Sequence, residues 1–330
     1  LGEKKKYDFS GGHQYHFTIR EMISLLKLLP RVKFIIAVII FSNTGFHLHS
    51  QPEPPPIIDF FQSLYHYQFP KASKQLASIG KNYPNTDYYS LSQANYYWWK
   101  FISGEQNHLV EQSLHESLER IIQRYSNRDP ESLSADELFA IVHAFAYQSR
   151  LAIHHKRRIK ALRNLNKIYP YLKIILENPE RNDKIRFLAG LYHYIAAVTY
   201  EEYPFARPFL RLVPDANKEY GYQLLEKAAQ SEHPLIRTEA IYFIMKINLE
   251  MSGQYKLAEF WSQQLIREYP DNLIYLMYHL HVLTKSGQAH KAVQTLADIK
   301  NKTYTIKGLT QLQRLHVLKE SLDYLMKNKK

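Results

Sequence analysis

The chain has 330 residues, 45% of them apolar, with only 11 glycines and a formal charge of +12. This is enough apolar residue for a large core, as two domains or one elongated stack of helices, and too little glycine for a turn-rich β architecture. The absence of cysteine excludes disulfides, thiolate-zinc sites, cysteine nucleophiles and a lipid-modified N-terminal cysteine, while the moderate basic excess favours anionic partners in general.

Residues 1–21 are polar and without period, and Met22 is the better start, so they read as a non-native extension upstream of the natural chain. From Met22, the basic Lys27, Arg31 and Lys33 precede an apolar run from Phe34 to Phe41 and then polar Ser42, Asn43 and Thr44. That is the order of a secretory signal. The run falls short of the roughly 20 residues of a spanning helix. Residues 22–50 are therefore expected to be a signal peptide cleaved after Ser50, with an uncleaved N-terminal helical anchor as the alternative. Ser50 followed by Gln51 resembles signal-peptide ends of certain Gram-negative bacteria, which implies a periplasmic or extracellular location. In the lead-in at residues 51–56, Pro52, Pro54, Pro55 and Pro56 predict a stiff segment that is not helical.

Helices are expected from Ile57 onward. Phe69, Ala72 and Pro84 recur at one common displacement as Tyr255, Ala258 and Pro270, so a divergent first repeat is expected from Ile57 to Tyr83. The next helix, Asp87 to Ser103, has Asp87 as its expected N-cap and ends at Gly104. It carries Tyr88, Tyr89, Tyr96, Tyr97, Trp98 and Trp99. Its partner, about Gln106 to Tyr125, shows helical spacing in Leu114, Leu118, Ile121 and Ile122. Ser134 and Glu137 form a capping-box pattern ahead of a helix reaching Leu151. The following helix, Lys156 to Tyr169, is basic, and Pro170 is expected to kink or end it.

Asn178 and Pro179 stop the next segment, and the helix Asp183 to Tyr200 is apolar around most of its surface, which predicts a central position. An insert at residues 201–217 contains Tyr203, Pro204, Phe205, Arg207, Pro208 and Pro214 and reads equally as a lid or a fixed plug. Helix resumes from Lys218 to Gln230, and Pro234 opens the clearest repeat. There Gly253 recurs as Gly287 and Ala258 as Ala292, a shift of about 34 residues, the tetratricopeptide period. Units at 239–272 and 273–306 follow. The small alanines allow close helix approach, the glycines allow the turn, and Pro270 stops the second helix. A last helix, Thr310 to Met326, gathers Leu312, Leu315, Leu318, Leu322 and Leu325 near one face and is expected to cap the stack with a polar outer side.

The stretch through Phe187, Gly190, Leu191 and Tyr192, the Tyr203-Pro204-Phe205 insert, Lys218 with Gly221, the Leu225 to Ala229 helix and the repeat ending at Pro270 resembles secreted bacterial tetratricopeptide-repeat (TPR) proteins. It is also faintly similar to the mitochondrial inclusion-clearance TPR family, which carries a comparable proline-rich insert. The likeness covers about Asp183 to Lys300 and implies an all-α, tetratricopeptide-like right-handed α-solenoid of antiparallel helix pairs, with a role in protein association. Lys246 and Ser262 depart from the repeat pattern, and residues 129–178 match it only loosely.

Patterns for chemistry are sparse. His279 and His281 are two apart, His154 and His155 are adjacent, and His115-Glu116 lacks a second histidine four residues on, so no helical metal pair is formed. Ser78 and Lys81 have a Ser-x-x-Lys spacing without partner motifs, and no phosphate-cradling glycine loop or Gly-x-Ser-x-Gly is present. No catalytic, cofactor or metal residue is assigned. The basic set Lys156, Arg157, Arg158, Lys160, Arg163 and Lys167 reads as a solvated face, or alternatively as an anionic contact. The rings of Tyr97, Trp98 and Trp99 read as core, or alternatively as a binding surface.

The expected function is that of an exported scaffold or adaptor of five or six helical pairs whose concave face holds a protein or peptide. Candidate contacts are Tyr97, Trp98, Trp99, Lys156, Arg157, Arg158, Tyr203, Phe205 and Arg207. A carbohydrate-binding repeat protein using exposed tryptophans is the alternative. Nucleic acid is disfavoured by the export signal, and no stable membrane span is expected after cleavage.

Overall fold

The computed structural model describes residues 55–202 and 215–326, and all regular structure among them is helical. In chain order the helices are α1 (Pro55–Tyr65), α2 (Phe69–Asn82), α3 (Asp87–Ile102), α4 (His108–Tyr125), α5 (Ala135–His154), α6 (Arg158–Asn166) and α7 (Tyr169–Glu177). They continue as α8 (Asp183–Glu202), α9 (Lys218–Ala228), α10 (Pro234–Lys246), α11 (Tyr255–Glu268), α12 (Leu273–Lys285), α13 (Ala289–Thr305) and α14 (Gln311–Met326). The signal-peptide segment and Tyr203, Phe205 and Arg207 lie outside the described residues.

Helix starts follow side-chain chemistry. Thr86, Asn107, Ser134, Asn217 and Asn272 each accept a hydrogen bond from a backbone N–H of the first turn, and Ser134 with Glu137 completes the expected capping box. The cap of α3 is Thr86; Asp87 is the first helical residue and binds Arg124 and Tyr125 instead. Pro55 and Pro56 open α1, contrary to the non-helical lead-in expected, because a first-turn proline has no intrahelical N–H bond to lose.

Four hairpins share one turn. Tyr67, Lys156, Gly253 and Gly287 have φ of 62°, 57°, 65° and 74°. The next residue, Gln68, Arg157, Gln254 or Gln288, has φ between −89° and −85° and ψ between 59° and 70°. Four positions further on stand Ala72, Ala161, Ala258 and Ala292, all fully buried. Glycine at 253 and 287 is favoured by backbone sign alone, since an added Cβ would meet nothing within 4 Å. Residues 129–178, loosely matched in sequence, therefore contain the same turn. Lys156 does not begin a helix but takes the left-handed position, Arg157 is the residue before α6, and Pro170 opens α7 rather than ending its predecessor. A non-glycine left-handed residue costs about 1–2 kcal/mol, more than glycine's added chain entropy. Lys156→Gly is thus expected to raise the urea midpoint by about 0.5 kcal/mol of stability, and Lys156→Ala to give no gain.

The helices enclose one main core that includes residues from Ile57 to Tyr324. Helices remote in sequence meet in it. Asn272 Nδ2 donates to the Tyr65 carbonyl over 2.9 Å, Phe61 lies 6.0 Å from His233, and Trp99 meets Tyr65 and Tyr275 edge-on at 5.4 and 5.5 Å. Gly104 abuts His316, and Gly308 abuts Pro70. The first helices are therefore tied to the last ones. Helices α8 and α9 approach closely, since a Cβ on Gly221 would lie 2.5 Å from Tyr194 N and 2.9 Å from Gly190 O.

Both departures from the repeat pattern have physical partners. Lys246 is buried at the end of α10, where a π-helical turn (Ile247–Met251) places Glu250 3.4 Å away and Tyr278 Oη accepts from its ammonium over 3.3 Å. Ser262 is buried and hydrogen-bonds His279 Nδ1 at 2.9 Å. The final helix differs from expectation. It buries Gln313, Val317, Glu320, Ser321 and Tyr324 and turns leucines outward, so its outer side is apolar. Among the described residues no helix is long and apolar enough to cross a membrane.

Candidate functional site

Among the described residues, the sequence-derived contacts divide between buried rings and an exposed basic turn. Trp98 is buried, stacked 4.7 Å from Tyr147, and Trp99 is buried between Tyr65 and Tyr275. Tyr97 is half-buried, 5.3 Å from Tyr96. Lys156, Arg157 and Arg158 are exposed at the α5–α6 turn, where their backbones serve the turn geometry. Neither tryptophan offers a ring plane to a groove. A concave binding face lined by these tryptophans was expected as one possibility, and both rings instead belong to the core.

That interior contains a charged group the sequence reading missed. Arg150 holds its guanidinium over Trp98, Tyr147 and Phe243 at 5.7, 5.4 and 5.0 Å from the ring centres. Glu239 is buried nearby, and its carboxyl is pushed above the usual range by burial, with the Arg150 charge acting in the opposite direction. The same carboxylate helps raise the hydroxyl pKa of Tyr65, Tyr147 and Tyr275, after burial itself. Tyr147 Oη donates to Asn95 Oδ1 over 3.1 Å, whereas Tyr65 Oη and Trp99 Nε1 have no hydrogen-bond partner among the described residues. The available signal was a charge set among apolar neighbours in each helix: Glu239 lies in the middle of Pro234–Lys246, and Arg150 lies near the end of α5.

Burial also fixes three histidines. His143 is lowered to about 3 by desolvation and then by Arg150; His279 and His316 are each lowered to about 4, chiefly by burial. A histidine held neutral in the fold takes up a proton on unfolding below about pH 6.5, so its stabilisation is complete above that pH and lost as pH falls toward the folded value. Glu239, shifted upward, acts in the opposite sense, favouring the fold as pH falls through its folded value. Between pH 6.5 and 5 the unfolding free energy is expected to drop by about 1 kcal/mol per pH unit for each histidine. His143 lies 5.3 Å from Phe139 and 4.2 Å from Tyr147, ring to ring, so phenylalanine fits its packing. His143→Phe should remove one histidine's share of the slope in urea titrations at pH 6.5, 6 and 5.

An open cleft of about 400 Å³ lies where three connections meet. The α1–α2 turn supplies His66, Tyr67 and Gln68 and the start of α2 supplies Pro70 and Lys71; the α11–α12 link supplies Asp271; and the end of α13 and its following loop supply Thr305, Ile306 and Lys307. Tyr67 is fixed there by its left-handed backbone and by its hydroxyl, which donates to Ser103 Oγ over 2.5 Å. Asp271 is paired with Lys302 at 2.7 Å, while the exposed Lys71 and Lys307 make no ion pair among the described residues. The cleft thus carries positive charge. No group of three or more histidine, cysteine, aspartate or glutamate side chains able to hold a metal occurs among the described residues.

Comparisons of the chain with protein-family models, characterised proteins and solved structures find no match.

Proposed function

We propose that the chain is an exported helical-repeat scaffold that binds an acidic peptide segment of a protein partner in the cleft between the α1–α2 turn and residues 271 and 305–307. The carrying observation is the cleft's charge: its only carboxylate is engaged by Lys302, and Lys71 and Lys307 are left to meet an anionic ligand. A volume of about 400 Å³ accommodates a few side chains of an extended segment. The tetratricopeptide-like right-handed arrangement is supported by the four matching turns and their buried alanines. The binding surface moves from the concave face to this cleft because rings fill the interior. Export rests on the charge-apolar-polar order of residues 22–50. The carbohydrate alternative required exposed Trp98 or Trp99 and loses that support with their burial.

The test is an array of acidic, neutral and basic peptides probed with the full chain, followed by calorimetry on the strongest binders. Acidic sequences should dominate, and Lys71→Glu with Lys307→Glu should weaken them about tenfold or more. Preference for basic peptides, or affinities unchanged by the double substitution, would remove the cleft from the function.

A further inference from the structure

Helix α14 buries polar side chains beside Val317 and Tyr324 and exposes a row of leucines, unlike a helix that caps a core with a polar outer side. Its inward side is largely polar, with Gln313, Glu320 and Ser321 buried; Ser321 Oγ donates to the Val317 carbonyl over 2.7 Å, and Gln313 Oε1 accepts from Thr310 N over 2.9 Å. The outward side presents Leu312, Leu315, Leu322 and Met326 at 55%, 56%, 46% and 57% exposure, with Leu318 and Leu325 half-buried between them. Spacing of three and four residues puts these side chains in one stripe. From Lys307 to Met326 the exposed residues are Lys307, Gly308, Gln311, Leu312, Leu315, Lys319, Leu322 and Met326. Every exposed charge in the segment is positive, because Glu320 is buried and Asp323 is half-buried. Lys327, Lys329 and Lys330 follow in sequence, and exposed Tyr304 ends the neighbouring helix α13.

We propose that this face docks the protein on an anionic lipid surface, with the leucine stripe entering the headgroup–acyl boundary and the exposed Lys307 and Lys319 facing the lipid phosphates. Two features decide for a lipid surface over a protein. A helix of 16 residues is about 24 Å long, so one face offers a few hundred Å² at most, well under the roughly 800 Å² per partner of a stable protein interface. An interfacial helix needs only one such face, buried about 5–10 Å deep. The proposal concerns lateral docking, not a span, and uses a surface separate from the peptide cleft except for Lys307.

The experiment is flotation of the full chain with phosphatidylcholine vesicles and with vesicles containing phosphatidylglycerol. Binding is expected to the anionic vesicles only and to fall several-fold when salt is raised from 0.05 to about 0.5 M. Leu315→Gln with Leu322→Gln should lower the partition coefficient about tenfold or more while leaving the melting midpoint unchanged, since both side chains are exposed. Lys319→Glu should lower it several-fold and leave peptide binding intact. Failure to bind anionic vesicles, equal binding by the leucine variant, or concentration-dependent self-association abolished by that variant would each overturn the proposal; the last would assign the stripe to a second copy.

Discussion

Gly221→Val is expected to destabilise the protein by about 3 kcal/mol or more, read as a lower urea midpoint with an unchanged slope. The cause is backbone against backbone. The Cβ alone would stand 2.5 Å from Tyr194 N and 2.9 Å from Gly190 O, neither of which can rotate away, so α8 and α9 would have to separate. Separation would also loosen Leu225, whose side chain lies against Gly190. Gly253→Val provides the contrast. Its Cβ meets nothing, and only its φ of 65° opposes a side chain, so about 1–2 kcal/mol is expected. Equal effects at the two positions would deny the close contact.

The second large effect is expected at Asn272, where one side chain performs two tasks. Its Oδ1 accepts from Ile274 N and Tyr275 N, capping α12, and its Nδ2 donates to the carbonyl of Tyr65. Losing the cap costs about 1–2 kcal/mol, and leaving a buried carbonyl without its donor costs about 1–3 kcal/mol more. Asn272→Ala should therefore lose about 3 kcal/mol in denaturant titration, against about 1 kcal/mol for Asn107→Ala, whose side chain caps α4 through Val110 N. Similar losses at both sites would mean that the bond to Tyr65 contributes little to holding the first helix against the last repeats.

Local chemistry made much of the helical order legible. Prolines, caps and the alternation of apolar residues act within a few positions of the chain, so Ser134 with Glu137, the α10–α11 and α12–α13 hairpins and the start of α9 were readable. Lys156 was not, because a left-handed turn usually announces itself through glycine, and here lysine accepts the strain. The core reading of Trp98 and Trp99 agrees with their burial, but the sequence did not show how both could be interior at once. Adjacent positions on an isolated helix point apart, and both become interior only when α1, α5 and α12 surround α3 with Tyr65, Tyr147 and Tyr275. The same limit applies to α14. Its leucine stripe was visible, but the core was satisfied from its opposite face by Val317 and Tyr324, which turned the stripe to solvent. The cleft has no sequence motif at all, since its walls come from residues 66–71, 271 and 305–307.

The most direct measurement is the distance between Lys71 and Lys307, which line opposite contributions to that cleft. The chain has no cysteine, so Lys71→Cys with Lys307→Cys can carry two spin labels without background. Double electron–electron resonance on the full chain should give one narrow, short-range distribution, as the tie between first and last helices requires. A broad or long-range distribution, as from an open array whose ends do not meet, would contradict both the closure and the cleft built upon it.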